Sequence, residues 1–513
     1  MTTRVEQSSG SGRRLRTRTG CLTCRDRRKK CDERWPICSG CDRNLLRCCW
    51  RHRARSPDSG RRQHVSDSSS RQVSREPRPR LPEQQHKLVV ASTTNWTAKR
   101  PELLPLTLVT AQTPGLRTAL DHSLFAYSID KLLPLMARPY VHPDYERFSS
   151  HLTVALHEPI VMDVLLASAA IHLSAGQSDK QVQALKYYSS AVRMLRQKID
   201  HSEIDGTEDW LVLVAVIFCL FERWNTFSHL QASSHLLGAF QILKLRLANG
   251  KDDRRDDDLI FDRCLAESVI YHLSILPLFE GAQLTESVEG WQQLTQPLNK
   301  RAFPDLPQWA NSPLLGGRPS LFRLIFDISR LRHGSHTKED IRLLTWRLSD
   351  EDNLIRTRAL TAWNHDSKDV CYRELRLFST AAKVLLLKLT QPDLSAQHSS
   401  IQSLVDEALG QLTSWTTAGR FDQYFCWPLL VIGCAVTQPE HIEVIQRKLV
   451  EIWRCSRCGD AWRVRTVLEH AWARNREVVT EGGLDEAETT DDPSFSAFDV
   501  LLAQEGVFSL SFL

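Results

Sequence analysis

The sequence predicts a small N-terminal module built on cysteines, a disordered linker and a large all-α domain. Three observations lead to this prediction. Six cysteines recur at a regular spacing within 28 residues near the N-terminus. The segment after them is poor in apolar residues and rich in Pro, Ser and Arg, which is typical of unfolded chain. Much of the remaining sequence has apolar residues at steps of three and four, the period of an amphipathic helix.

The six cysteines form two equivalent groups, each with the spacing C-x2-C-x6-C. The groups are Cys21, Cys24 and Cys31, followed by Cys38, Cys41 and Cys48. A structural zinc ion takes four ligands in a tetrahedron, and cysteine thiolates are among its preferred ligands. Six thiolates complete one site with two left over, or two sites if two sulfurs bridge both ions. The equivalence of the groups favours two Zn²⁺ per chain, with one bridging sulfur from each group.

Other uses of these cysteines stay open on the sequence alone. A one-zinc ribbon would take the first two cysteines of each group, namely Cys21, Cys24, Cys38 and Cys41. It would leave Cys31 and Cys48 without a role. A disulfide framework is disfavoured because the N-terminus lacks the apolar segment of a secretory signal. Cys49 could replace Cys48 as a ligand, but its position breaks the repeat and favours a spare thiol.

Basic residues are concentrated around the same module. Residues 1–62 contain 18 Lys and Arg against 6 Asp and Glu, a net charge of +12, whereas the whole chain has a net charge of +5. Short helices are predicted over 22–29 and 39–46, after the first cysteine of each group. A basic helix held by a metal framework predicts binding to double-stranded DNA.

The basic side chains divide into two predicted roles. Arginine can donate two hydrogen bonds to guanine O6 and N7 in the major groove, so Arg28 is the first candidate for a base contact and Arg27 the second. Contacts to phosphates, which position a protein without reading sequence, are predicted for Arg25, Lys29, Lys30 and Arg43. The alternative is a zinc-dependent protein-interaction module whose basic stretch is mainly a nuclear import signal.

The cysteine segment resembles the fungal Zn2Cys6 binuclear cluster family of transcription factors. The similarity runs over 20–33 and continues through Pro36 to Cys48. It implies that Cys21 and Cys38 bridge the two zinc ions, and that the helix after Cys21 reads a CGG-like triplet with Arg28. It also implies a sequence-specific regulator of RNA polymerase II transcription, with the transcription machinery as a partner. Reduced thiols, zinc and DNA together predict a nuclear location.

Composition divides the chain into five predicted parts. They are a disordered basic arm (1–19), the cysteine module (20–50), the disordered linker (51–118), the all-α domain (119–480) and an acidic–apolar C-terminal segment (481–513). No a/d heptads follow the cysteines, so the protein either binds DNA as a monomer or forms a homodimer through the helical domain. The C-terminal segment suits an activation segment, or an acidic loop followed by a docked helix.

Several predicted helices can be placed in the all-α domain. Pro159 begins one, which Gly176 closes. A second has a predicted packing face of Val182, Leu185, Tyr188, Val192, Leu195 and Ile199. The apolar stretch 210–221 has 12 residues, short of the ~20 that cross a bilayer, and predicts a buried helix. A late helix carries Ile442, Ile445, Leu449 and Ile452. The segments 132–136, 165–173 and 184–188 resemble the fungal-specific transcription factor domain, which implies a regulatory role.

The role of the helical domain has three candidates: sensing a small-molecule effector in a cavity, self-association or other protein contacts, and catalysis. Catalysis is the weakest because the sequence has no GxSxG, P-loop, GxGxxG or HExxH motif. His151, His157 and His172 have no acidic or cysteine partner at ligand spacing, which favours packing roles. Most cysteines beyond residue 49 are predicted to be buried free thiols, and Cys455-x2-Cys458 is a lone CxxC pair.

Overall fold

A computed structural model describes two compact units, one within residues 1–105 and the other within 106–513. The described residues are 21, 24–25, 27, 29–32, 38–42, 115–174, 178–225, 232–248, 256–282, 288–334, 336–360, 366–414, 422–481, 498 and 501. Every regular element among them is a helix, which confirms the predicted all-α class. The predicted basic arm, residues 51–114 of the predicted linker and nearly all of the C-terminal segment lie outside the described residues.

The first unit contributes one short helix, α1 (Ser39–Asp42). The first half of the second unit contains α2 (Ala119–Tyr127), α3 (Pro143–Arg147), α4 (Ser149–His157), α5 (Pro159–Ser174), α6 (Ser178–Asp200), α7 (Asp209–Trp224), α8 (Ala232–Ala248) and α9 (Asp256–Ile275). The second half contains α10 (Trp291–Leu294), α11 (Gln296–Asn299), α12 (Pro319–Arg330), α13 (Lys338–Leu360), α14 (Asp366–Thr390), α15 (Ser399–Ser414), α16 (Cys426–Ala435), α17 (Pro439–Ser456) and α18 (Gly459–Glu481). Short π and 3-10 turns over 128–135 continue α2.

Local sequence sets where several helices begin. Thr118 caps α2: its hydroxyl accepts the Asp121 N–H at 3.2 Å, and the Asp121 carboxylate accepts the Thr118 N–H at 2.8 Å. Proline occupies the first position of α3, α5, α12 and α17. An N–H at this position has no acceptor within the helix, so proline, which lacks an N–H, is well tolerated there. The predicted start of a helix at Pro159 is therefore confirmed.

The helices α5, α7, α9 and α16 of the second unit are buried on nearly all sides, and in α9 every residue from 260 to 275 is buried. Fourteen of the 16 residues of α5 are buried, as are 13 of the 16 in α7 and all ten in α16. A helix that is apolar around its whole circumference belongs in a core. The buried helix predicted from 210–221 is confirmed as the middle of α7. Other long helices bury one apolar face, as α17 does with Ile445, Leu449 and Ile452.

The predicted packing face of α6 is only half correct. Tyr188, Val192 and Leu195 pack against the core, but Val182 and Leu185 are exposed. Two consecutive steps of three residues turn the helix by 600°, which leaves Val182 about 120° away from Tyr188 around the axis. Ile199 is also exposed, because it lies in the last turn of a helix seven residues longer than α5, its main neighbour.

A buried ionic cluster joins α7 to α18. The Arg223 Nε donates to the Asp460 carboxylate at 2.6 Å, and the Arg463 Nη1 donates to the same carboxylate at 2.6 Å. The Arg463 Nη2 also donates to the carbonyl oxygen of Glu222 at 2.7 Å. All these side chains are buried, so each charge has a partner inside the core.

Within the described part of the chain, none of the helices combines the length and apolar character that crossing a membrane requires.

Candidate metal centre and nucleic-acid interface

Five of the six predicted zinc ligands are described, and all five are buried within the first unit. The Sγ–Sγ distances between the groups are 3.7 Å for Cys21–Cys38, 3.6 Å for Cys21–Cys41, 3.4 Å for Cys24–Cys38 and 3.8 Å for Cys24–Cys41. Four sulfurs at about 2.3 Å from a tetrahedral zinc ion are about 3.8 Å from one another. The described sulfurs therefore fit zinc. Cys48 lies outside the described residues.

Four of these sulfurs form one compact group of possible ligands. The ligand atoms of Cys21, Cys24, Cys31 and Cys38 all lie within 4.8 Å of one another. Three of them come from the first C-x2-C-x6-C group, and Cys38 is the first cysteine of the second. The two groups are therefore interleaved in space rather than forming two independent clusters.

The two cysteine groups, which have the same spacing in the sequence, also make the same backbone hydrogen bond to sulfur. The Cys24 N–H donates to the Cys21 Sγ at 3.3 Å, and the Cys41 N–H donates to the Cys38 Sγ at 3.3 Å. The turns that follow are helical in both halves, at residues 24–25 and in α1. Backbone N–H groups aimed at sulfur favour the thiolate, which is the form that binds a metal ion.

The hydrogen bonds polarise two neighbouring thiols in opposite directions. Burial raises the pKa of Cys24 to about 12, and its hydrogen bonds to Cys38 and Cys21 act in the same direction. Burial also acts to raise the pKa of Cys38, but the Cys41 N–H and the Cys24 thiol outweigh it and lower that pKa to about 6. These hydrogen bonds thus favour the thiol form of Cys24 and the thiolate form of Cys38, and binding of a metal ion to Cys24 would release a proton.

The described part of the basic stretch is exposed and is attached to the cysteines through the backbone. The Arg25 N–H donates to the Cys21 carbonyl at 3.1 Å, and the Lys29 N–H donates to the Cys24 carbonyl at 2.9 Å. The exposed basic side chains are those of Arg25, Arg27, Lys29 and Lys30. Positive charge thus lies on the surface of the cysteine cluster. Arg28 and Arg43, the other two predicted DNA contacts, lie outside the described residues.

The histidines singled out in the sequence are packing residues. His172 shares a hydrogen bond with the Tyr127 hydroxyl at 2.8 Å, and its other ring nitrogen contacts the Ser456 carbonyl oxygen at 2.6 Å. His157 bonds to a carbonyl oxygen one turn earlier in its own helix. His151 is buried beside two phenylalanine rings. These contacts agree with the packing role predicted for them.

The second unit contains one apolar cavity that bears on effector binding. It has a volume of about 50 Å³, and α4, α5, α7 and α9 contribute to its walls. The Ser168 hydroxyl in its wall is fully buried and has no hydrogen-bond partner among the described residues. An apolar cavity of about 150 Å³ holds a benzene molecule. A ring-sized effector would therefore fit only if the side chains around the cavity moved.

A compact cysteine cluster with a basic surface, followed in the chain by a large all-α unit, defines the class of zinc cluster regulators of fungi. The chain belongs to the family of the fungal specific transcription factor domain, whose family model matches residues 123–483. This family consists of transcription factors and not of enzymes.

Shorter matches link the chain to curated transcriptional regulators of Candida albicans. It is 67% identical to White-opaque regulator 2 over 33 residues, which is 6% of this chain and 7% of the relative. It is 53% identical to Adhesion and hyphal regulator 1 over 36 residues, 7% and 6% of the two chains. It is 49% identical to Zinc cluster transcription factor CZF1 over 43 residues, 8% and 11% of the two chains. The matches therefore span about a tenth of each relative or less. No solved structure matches the chain.

Proposed function

We propose that this protein is a sequence-specific transcription factor in which six cysteines hold two zinc ions and present a basic surface to double-stranded DNA. The observation that carries the proposal is the group of four sulfurs that combines Cys38 with the whole first cysteine group. The first group alone supplies three ligands, and zinc needs four. Cys38 is the fourth, so the second cysteine group must share a sulfur with the first ion.

The same argument assigns the second ion. With Cys38 shared, the second group needs one sulfur from the first group to complete its own four ligands. Cys21 and Cys24 both lie close enough, since their Sγ atoms are 3.4–3.8 Å from those of Cys38 and Cys41. We assign Cys21 because, like Cys38, it is the first cysteine of its group, and because the resemblance to the Zn2Cys6 family implies this pair. The second ion then takes Cys21, Cys38, Cys41 and Cys48. A one-zinc ribbon is disfavoured because it leaves out Cys31, whose buried sulfur belongs to the compact group.

The charge of this cluster supports DNA binding. Six thiolates and two Zn²⁺ carry a net charge of −2, which the basic residues around the cluster offset, and their excess charge is available to phosphates. Arg28, with Arg27 as a second candidate, reads a guanine of a CGG-like triplet. Arg25, Lys29, Lys30 and Arg43 contact phosphates. The protein acts in the nucleus on genes transcribed by RNA polymerase II, with the transcription machinery as a partner.

The helical domain regulates this activity. Its partners are a second copy of the chain and a small-molecule effector, and effector binding in the apolar cavity requires the cavity to expand. For the C-terminal segment 481–513, the docked alternative is favoured over an activation segment, because Phe498 and Leu501 are buried among the apolar residues of the helical core.

Two substitutions in one basic stretch test the DNA proposal. Arg28→Ala should lose about 1–3 kcal/mol of discrimination at one guanine, because a bidentate contact to a base edge is removed. Lys30→Ala should weaken binding to all duplexes alike and reduce its salt dependence, because a phosphate contact is removed. Binding of the full-length chain to CGG-containing and scrambled duplexes at several salt concentrations measures both effects. Equal affinity of the unaltered protein for both duplexes would overturn the proposal.

Zinc content tests the ligand assignment. Cys31→Ser removes one ligand of the first ion, so the chain should hold fewer than the two zinc equivalents of the unaltered protein. Cys49→Ser is the matched control and should keep both, since Cys49 is a spare thiol. Elemental analysis of the dialysed full-length proteins gives the count. One equivalent in the unaltered protein, insensitive to Cys31→Ser, would favour the zinc ribbon instead.

A further inference from the structure

Helix α13 carries apolar side chains on the face that points away from the core. Leu343, Trp346 and Leu354 are 51%, 65% and 39% exposed. They share one face, because the steps 343, 346, 350 and 354 follow the helical repeat. The opposite face packs Leu344, Leu348 and Ile355 into the core. Packing against the rest of the domain therefore does not explain the exposed side chains.

Two opposite charges lie within this exposed face of α13, which contains Leu343, Trp346 and Leu354 and is called the stripe below. Arg347 and Asp350 are both exposed and are three residues apart on α13. Neither has an ion-pair partner among the described residues. Neighbouring exposed charges do pair, as Arg342 does with Glu339 one turn earlier at 3.6 Å. The stripe thus offers a cation on the N-terminal side of its middle and an anion on the C-terminal side.

The stripe is symmetric about its own middle, which lies between residues 348 and 349. Leu343 and Leu354 are equally far from this point in opposite directions, and so are Arg347 and Asp350. If two copies of α13 pack antiparallel about a two-fold axis, each Leu343 meets Leu354 of the other copy. Each Arg347 then meets Asp350 of the other copy. A surface that is complementary to itself in this way is what a two-fold interface between identical chains requires.

We propose that the outward face of α13 is a self-association surface, through which two copies of the chain pack this helix antiparallel. Trp346 lies near the two-fold axis and is the largest side chain buried by the contact. The inference deepens the self-association part of the proposed function by naming the surface. It does not depend on how the cysteine module binds DNA.

The size of the contact between the two copies of α13 indicates how tightly they should associate. The helix has 23 residues and is about 34 Å long. A contact limited to one helix from each copy is small for a stable interface, so the dimer should be reversible and its population should depend on protein concentration.

The first test compares two exposed tryptophans. Sedimentation of the full-length, zinc-loaded chain without DNA should show a monomer–dimer equilibrium that depends on concentration. Trp346→Ala should raise the dissociation constant at least about tenfold, because a central aromatic side chain dominates an interface. Trp462→Ala, at a position on α18 that is 48% exposed, is the matched control and should leave the equilibrium unchanged.

The second test exchanges the charges. Arg347→Asp and Asp350→Arg should each weaken the dimer, since each places like charges opposite one another. A mixture of these two variants should dimerise, because one chain then carries aspartate at both positions and the other arginine at both. The double variant Arg347→Asp/Asp350→Arg should dimerise on its own, which also shows that the exchanged residues permit folding.

Three results would overturn the proposal: a chain that stays monomeric at all concentrations, a dimer insensitive to Trp346→Ala, or a mixture of single variants that fails to pair. A monomer at all concentrations would leave another protein, or another part of the same chain, as the occupant of the stripe. Arg28→Ala separates this inference from the DNA proposal, because it should alter DNA recognition and leave sedimentation unchanged.

Discussion

The chemistry of each thiol in this chain follows from its surroundings. Burial raises the pKa of Cys219 to about 12 and that of Cys371 to about 11, so both are inert thiols. Cys38 lies in the small cysteine cluster of the first unit, and there the hydrogen bonds to its sulfur outweigh burial and lower its pKa to about 6. Among the cysteines beyond residue 49, Cys455 is the exception to the predicted burial, because it is exposed near the end of α17 while Cys458 is buried.

Spacing was enough to predict that the described cysteines lie together, but it did not show which sulfurs form the most compact group. The structure groups Cys38 with the first three cysteines, a proximity that the spacing in the sequence does not specify. The assignment of Cys21 and Cys38 as bridging ligands stays a prediction, as do the ligand roles of all six cysteines and the DNA contacts assigned to the basic residues.

Glu222 on α7 should make stability depend on pH. It is buried, and neither carboxylate oxygen has a hydrogen-bond partner among the described residues. Burial raises its pKa to about 7, although the charge of Arg463 acts to lower it. Because folding raises this pKa above its ordinary value of 4.5, the protonated carboxyl stabilises the folded state. This contribution is complete below about pH 4.5 and is lost as the pH rises through about 7.

Glu222→Gln should remove this dependence, since the amide does not ionise. Urea unfolding should find the variant similar to the unaltered protein near pH 5. Near pH 8 the variant should be more stable, by an amount on the order of 3 kcal/mol. Glu443→Gln, on the exposed surface of α17, is the control and should show no such divergence. If the two proteins kept the same difference at both pH values, Glu222 would not be the titrating group.

Individual helices differ in how well their sequences predicted them. Pro159 and the apolar residues of α17 mark helices whose start or packing face can be read directly. In α5, α7 and α16 nearly every residue is buried, so no polar face marks their orientation. In α6, apolar residues also occur at spacings of three and four at Val182 and Leu185, but these positions lie outside the packing face. A pattern of threes and fours thus predicts that a helix exists better than it predicts which side of it is buried.

Contacts between distant helices could not be predicted from the sequence. Arg223 and Asp460 are 237 residues apart in the chain, and no local pattern links them. Their pairing depends on α7 and α18 meeting in the folded core, where a charge without a partner would be strongly destabilising. The stripe on α13 is the converse case, because its apolar residues resemble core residues in the sequence and only the fold shows that they face outward.

The two units of the chain should respond differently to loss of metal. Each has its own cluster of buried residues, and that of the first unit consists of cysteines. A small site of this kind derives its folding free energy from the metal ions it binds. The second unit has a large apolar core that should remain folded without them.

Removing zinc from the full-length chain with a chelator should therefore abolish sequence-specific DNA binding while leaving the helical unit folded. Far-ultraviolet circular dichroism should keep almost all of its helical signal, and the thermal transition of that signal should not move. Adding zinc back should restore DNA binding, whereas magnesium, which prefers oxygen ligands, should not. A helical transition that shifts downward on chelation would mean that the two units fold together, and the independence argued from their separate cores would be wrong.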